Sequence, residues 1–291
     1  MSTEMPKGHS EELRDWLATQ PHLPPISDQM LRVFHHSCFF DLAKTKDCID
    51  TYYSLRSSLP EIFANRDVSK KEIQTTVGNI SNVIIPKKTP DGYQVIFQKI
   101  QSTDYSIYNF DEACKLFVMC MDAVIRDEGP LPGYMILLDY KNVRLGHLAK
   151  TNMSTLKKMF KYIQEAAPVR LKSIHMINMN YFIEKVMSFV KPFMNKELYN
   201  LIHFYPEGEL EKVHKFIPPE CLPADYGGSL ETTHYYKEQF IFKMKELTDI
   251  MQKEELAATV KENLRPKKQK KKKDDKKDQD AGISLKSLEI D

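Results

Sequence analysis

The sequence predicts an α/β protein in which a small N-terminal helical bundle precedes a mostly parallel sheet with covering helices. Three observations lead there. Residues 9–80 carry apolar side chains at helical spacing. From residue 91 onward, strand-like and helix-like segments alternate, the signature of parallel strands joined by crossover helices. The segment "GYMILLDYKN" (133–142) has an unbroken apolar centre, as in a strand buried on both faces.

In the N-terminal part, "SEELRDWLATQ" offers Ser10 and two acids for a capped first turn and ends before Pro21. "SDQMLRVFHHSCFF" places Ser27 as a cap ahead of Met30, Leu31, Phe34 and Cys38. "DLAKTKDCIDTYYSLRSSLPEIF" continues helical until Pro60 interrupts it. About four helices are expected. The pattern then changes. "DGYQVIFQKI" (91–100) starts on an Asp-Gly turn and runs as a strand. "NFDEACKLFVMCMDAVIRD" (109–127) is a helix with Phe110, Leu116, Phe117, Met121 and Ile125 apolar. After the strand at 133–142, "STLKKMFKYIQEAA" (154–167) is a helix and "VRLKSIHMINM" (169–179) the next strand.

The segment at 180–205 is unusually apolar for a helix. Phe182, Val186, Phe189 and Phe193 make one stripe, and Ile183, Val186, Val190 and Met194 its neighbour. One buried face needs only about 100° of circumference, so this segment must satisfy a second apolar neighbour. A short strand "LIHFY", the helix "ELEKVHKF" and a charged helix over about 233–263 follow. Four parts result: a helical module at 1–80, a sheet domain at 81–245, the end of the charged helix at 246–264, and a lysine-rich tail at 265–291.

Composition narrows the function. Apolar residues make up 42% of 291, enough for a sizeable core. The tail carries ten Lys/Arg against six Asp/Glu, so the body is near neutral and unlike a dedicated nucleic-acid binder. The polylysine run suits a solvated tail, an anionic leaflet or nuclear targeting. Five cysteines without ligand spacing read as reduced and cytosolic, and the polar N-terminus has no signal-peptide core. No apolar run approaches the ~20 residues of a membrane span.

The enzyme motifs are absent: no GxSxG, no GxxxxGK[ST], no GxGxxG after a strand, no HExxH. Asp139 and His175 end or occupy neighbouring strands, so a carboxylate–histidine pair is conceivable, but no nucleophile sits at a recognisable spacing. The plainer reading makes both, with Asn178, hydrogen-bonding members of the fold. Methionine is abundant at 119–194, as in a core tolerant of Met or a wall that adapts to a ligand.

Three motifs in order, "SIHMIN", "VKPFM" and "LPADYGG", resemble the CRAL-TRIO family of intracellular lipid-transfer proteins. Met194 stands where the second motif has Leu, and Asp225 where the third has Glu. "FFDLAKTK", "LRSSLPEIF" and "NRD" are similar to the family's preceding helical module, and the likeness spans roughly residues 10–245. It implies a sheet floored by helices and a long apolar cavity closed by a helical gate over 181–202. Carried over position by position, the cavity would be lined by Met159, Ile163, Leu171, Ile174, Ile183, Val186 and Val190. A phosphoinositide headgroup would meet Arg170, Lys172 and Lys191, while two further basic positions of the family are Glu197 and Leu201 here. Phe182 and Phe189 would face the bilayer. The resemblance implies a cytoplasmic, membrane-peripheral carrier of a tocopherol-, retinoid- or carotenoid-like lipid. It implies no catalysis, cofactor, metal, nucleic acid or obligate protein partner. The alternative is a phosphoinositide-binding trafficking adaptor.

Overall fold

The computed structural model describes residues 4–179 and 183–266. The helical module comprises α1 (His9–Ala18), α2 (Asp28–Ser37), α3 (Leu42–Ser58), the single turn α4 (Pro60–Phe63) and α5 (Lys71–Asn79). Ser27 caps α2 as its position predicts, accepting from the Met30 N–H at 3.2 Å. Ser10 does not cap α1. Gly8, at φ 83°, admits the chain two residues earlier, and His9 Nδ1 lies 2.8 Å from His35 Nε2.

The sheet joins β1 (Ile80–Ile84), β2 (Gln94–Ile100), β3 (Tyr134–Asp139), β4 (Leu171–Met179) and β5 (Ile202–Pro206) in that spatial order. Strands β2 to β5 run parallel, and β1 pairs antiparallel to β2. The alternating pattern thus gave the right class, but β1 escaped it. Ser81 and Asn82 interrupt its apolar run. Both are fully buried, Ser81 Oγ accepting from Gln101 and Asn82 Oδ1 from Gln98, while Asn82 Nδ2 stays without a partner among the described residues.

The crossovers are α6 (Phe110–Glu128), then α7 (Leu145–Ala149) with α8 (Met153–Glu165), then α9 (Ile183–Val190) with α10 (Lys196–Asn200). Successive strand residues face opposite sides. Ile96, Ile136 and Ile174 face α6 and α8; Phe97, Leu137 and Ile177 pack under a segment carrying Val213, Ile217, Leu222 and Tyr226. The helical module shares a core with α8 through Met159, Tyr162 and Ala166.

The apolar segment after β4 is not one long helix. Pro192 follows α9 in a 3-10 turn (Lys191–Phe193), and Asn195 restarts the chain as cap of α10. The segment read as "ELEKVHKF" is likewise a 3-10 turn, Leu210–Lys215. The charged helix is also divided, into α11 (Thr233–Glu246) and α12 (Thr248–Ala257), so that Phe240, Met244 and Met251 reach one core. Arg265 belongs with this folded body. Its guanidinium bonds Asp50 at 2.6 Å, Ser54 at 2.7 Å and Glu262 at 2.6 Å.

Candidate functional site

Two adjoining lobes, of about 240 and 300 Å³, lie between the sheet and α6, α8 and α9. They share Gln98, Leu138, Phe160, Ile163 and Ile174 in their walls, and so form one cavity. The first lobe is closed by Cys114, Phe117 and Met121, spaced three and four apart on one face of α6. The second is roofed by Val186, Met187 and Val190 of α9 and by Met194. Five methionines (121, 159, 176, 187 and 194) contribute to the walls, which suits an adaptable apolar surface.

Six of the seven cavity positions expected from the sequence line these lobes. Met159 and Leu171 line the first, Ile163 and Ile174 both, Val186 and Val190 the second. Ile183 is half-buried at the start of α9 and lines neither. Phe189 is half-buried and also outside the lining set; Phe182 lies outside the described residues. Sequence reasoning missed the α6 face and the pair Tyr108 and Tyr140. Spacing on α6 could have shown the former; nothing in the sequence marks the tyrosines.

The basic trio is not assembled as one cluster. Arg170 is buried, donates from Nε to the His36 carbonyl at 2.8 Å, and stacks over Phe39 and Phe40 at 4.3 and 5.7 Å. These two phenylalanines hold left-handed φ angles of 55° and 62°, so the clamp fixes a strained turn. Lys172 is half-buried over Tyr93, whereas Lys191 is exposed over Tyr199. Glu197 is exposed and Leu201 half-buried.

Asp139 and His175 do not pair. The His175 ring takes up Ser173 Oγ at 2.8 Å and Tyr205 Oη at 2.9 Å, and stacks on His203 at 5.0 Å. Burial, reinforced by His203, brings its pKa down to about 3, so the ring is neutral and ties β4 to β5. Asp139 instead accepts from Asn178 Nδ2 at 2.8 Å and from the Tyr226 hydroxyl, with Lys99 Nζ at 3.3 Å. Asn178 holds φ 54°, a conformation asparagine tolerates.

The third motif explains itself through this network. Tyr226 supplies the hydroxyl on Asp139, and Asp225 accepts from the Thr233 N–H at 2.9 Å in the first turn of α11, whose N-cap is Thr232. A Cβ on Gly228 would lie 1.8 Å from the Leu222 carbonyl oxygen, which leaves room for glycine alone. In the second motif, Phe193 stacks on Phe160 at 6.4 Å and accepts from Gln164 Nε2 at 3.0 Å, hinging the end of α9 to α8.

A separate concavity of about 290 Å³ between α3, α6 and α12 is lined by charges already paired, Arg56 with Asp122 and Arg126 with Glu254. Among the described residues no helix is long and apolar enough to cross a membrane.

The family model "CRAL/TRIO domain" matches residues 80–228, and "Pinta-like, UBA domain" matches residues 3–73. Alpha-tocopherol transfer protein-like from Homo sapiens is 26% identical over 223 residues, covering 75% of this chain and 64% of that protein. Clavesin-1 from Rattus norvegicus is 22% identical over 223 residues, covering 76% and 63%. The chain therefore spans slightly under two thirds of the length of these relatives. A solved structure, "Crystal structure of Sfh5", aligns over 77% of this chain and 81% of its own at 13% identity and a TM-score of 0.48. With the CRAL/TRIO match covering more than half of its residues, this chain belongs to the CRAL/TRIO family, whose members bind and transfer lipophilic ligands.

Proposed function

We propose that this chain is a non-enzymatic carrier that takes a small hydrophobic lipid, of tocopherol, retinoid or carotenoid type, from one membrane and releases it at another. The observation behind this reading is the two-lobed apolar cavity roofed by one short helix, α9, whose inward residues are Val186, Met187 and Val190. Desolvation supplies the affinity: each buried CH₂ is worth about 0.8 kcal/mol, so an enclosing apolar wall holds a long chain with few polar contacts. Among the described residues, the short helix and its 3-10 continuation are anchored by the buried Val186, the Phe193–Phe160 stack and the Gln164 bonds to the Phe193 carbonyl and the Asn195 N–H, all of them to side chains and none to the sheet's backbone. Such a roof can lift without disturbing the sheet.

Phosphoinositide contact in this reading assists release and falls to Lys172 and Lys191, because Arg170 is turned inward. The adaptor alternative draws on the same two lysines and on no further feature. Native mass spectrometry and organic extraction of the purified protein test the proposal, together with uptake from labelled liposomes. Recovery of a single lipid and saturable uptake are expected. Absence of both overturns the carrier reading. Transfer that requires a phosphoinositide in donor and acceptor alike favours the adaptor.

A further inference from the structure

The walls of the cavity are mostly apolar, and the polar groups among them point to the chemistry of the cargo. Most polar groups lining the lobes already have partners. Gln98 donates to Asn82 and to the Ala113 carbonyl; Asp139 is held by Asn178, Tyr226 and Lys99; Thr151 donates to the His147 carbonyl. Two phenols are different. Tyr108 lines both lobes, Tyr140 lines the lobe under α9, and neither hydroxyl makes a hydrogen bond to any described residue. Burial raises the pKa of both, Tyr140 to about 12 and Tyr108 further, with Cys114 and Tyr140 adding to the rise at Tyr108. Both therefore stay protonated and able to donate at any physiological pH.

Neither hydroxyl is one of the sealed polar atoms of the interior, so each opens on free space in a lobe whose walls it lines. A cargo that enclosed it without accepting its hydrogen would leave a donor unpaired at a cost of about 1–3 kcal/mol. The two phenols are near enough to influence each other electrostatically. His147 packs edge-on against Tyr108 at 5.1 Å, and its Nδ1 accepts from the Arg144 N–H at 3.0 Å. Its Nε2 completes no hydrogen bond, but that nitrogen is sealed from the lobe, so the tyrosines are what a ligand atom meets.

Resting on the carrier reading, we propose that Tyr108 and Tyr140 are the recognition site for an acceptor oxygen on the cargo. The ligand class is a lipid with a hydroxyl, carbonyl or carboxylate at one end, and a pure hydrocarbon is excluded. The head sits beneath α9 near the carboxyl ends of the strands. The tail runs into the lobe between α6 and α8, where Phe117, Met121 and Met159 offer only apolar contact.

Three probes on one carbon skeleton test this: the branched alcohol phytol, its carboxylic acid, and the hydrocarbon phytane. Wild-type protein should bind the alcohol or the acid roughly tenfold more tightly than phytane. In the double variant Tyr108→Phe, Tyr140→Phe the difference should fall below about threefold, with phytane affinity unchanged. Comparing alcohol with acid shows which head is preferred. Equal binding of all three probes by the wild type overturns the head-group assignment and leaves the carrier reading intact. So does a preference that survives in the double variant. Failure to bind any probe overturns the carrier reading and the assignment with it. The comparison on the wild type needs no variant to fold.

Discussion

Replacing Asp122 by alanine should be among the most destabilising single changes in this protein. Its carboxylate accepts from Arg56 at 3.1 and 2.7 Å and from Arg66 at 2.6 Å. The side chains of Arg56 and Arg66 are only 8% and 1% exposed, and that of Asp122 is 11%. Arg66 also donates to the Met251 carbonyl at 3.0 Å, so one carboxylate joins the helical module, α6 and α12. Removing it strands two buried guanidinium groups, which costs about 3–5 kcal/mol. At about 2–4 °C per kcal/mol for a chain of this size, the melting temperature should fall by about 6–20 °C. Burial raises the Asp122 pKa, but attraction to Arg56 and Arg66 outweighs it and holds the carboxyl below its ordinary value. Its contribution is thus fully present above about pH 4 and is lost as pH falls through the depressed folded-state value. The assay is calorimetry or urea unfolding of wild type, Asp122→Ala, and the triple variant Arg56→Met, Arg66→Met, Asp122→Leu. The triple variant should recover most of the loss, because apolar groups of similar volume replace the ions. A loss under about 1 kcal/mol in Asp122→Ala, or a triple variant no better than the single one, would refute the reasoning.

Other outcomes follow from the cavity and its supports. Val186→Asp places an unpaired carboxylate in the roof and should abolish cargo retention, whereas Phe189→Asp should spare retention and slow transfer to anionic vesicles. Equal unfolding of both variants in thermal melts would make α9 ordinary core. Gly228→Ala should cost about 1–3 kcal/mol in urea unfolding because its Cβ meets the Leu222 carbonyl; an unchanged midpoint counts against the tight loop. Removal of residues 267–291 should leave the melting temperature unchanged and weaken binding to anionic vesicles at low salt. Arg265→Ala should lower the melting temperature, because Arg265 bonds three side chains.

The class of fold was legible because period-2 and period-3.6 patterns survive wherever one face is buried, as in α6 and β3. They fail where burial is polar. Ser81 and Asn82 hid β1, and Pro192 and Asn195 divided a segment whose composition reads as one long helix. For the site, the aliphatic positions of α8, β4 and α9 could be placed because the motif around them fixes their register. Arg170 could not. Its inward turn depends on Phe39 and Phe40, residues about 130 positions away whose left-handed φ angles no local propensity announces. Tyr108 and Tyr140 share that obscurity, since a missing partner is a property of space and not of spacing.

The two margins of the sheet bear on how the protein avoids itself. A strand with one free side offers its amides and carbonyls to any extended chain, and a molecule that uncovers greasy surface whenever its roof lifts would be prone to fibrous stacking. Here the margin at β1 is covered by α11, whose Lys237 donates to the Gly78 carbonyl at 2.7 Å. The other margin, β5, is five residues long and ends at Pro206, which has no N–H to give. If the roof lifts as proposed, molecules that meet through it would touch by side chains and part again. The backbone route to irreversible aggregation is blocked at one margin and cut short at the other.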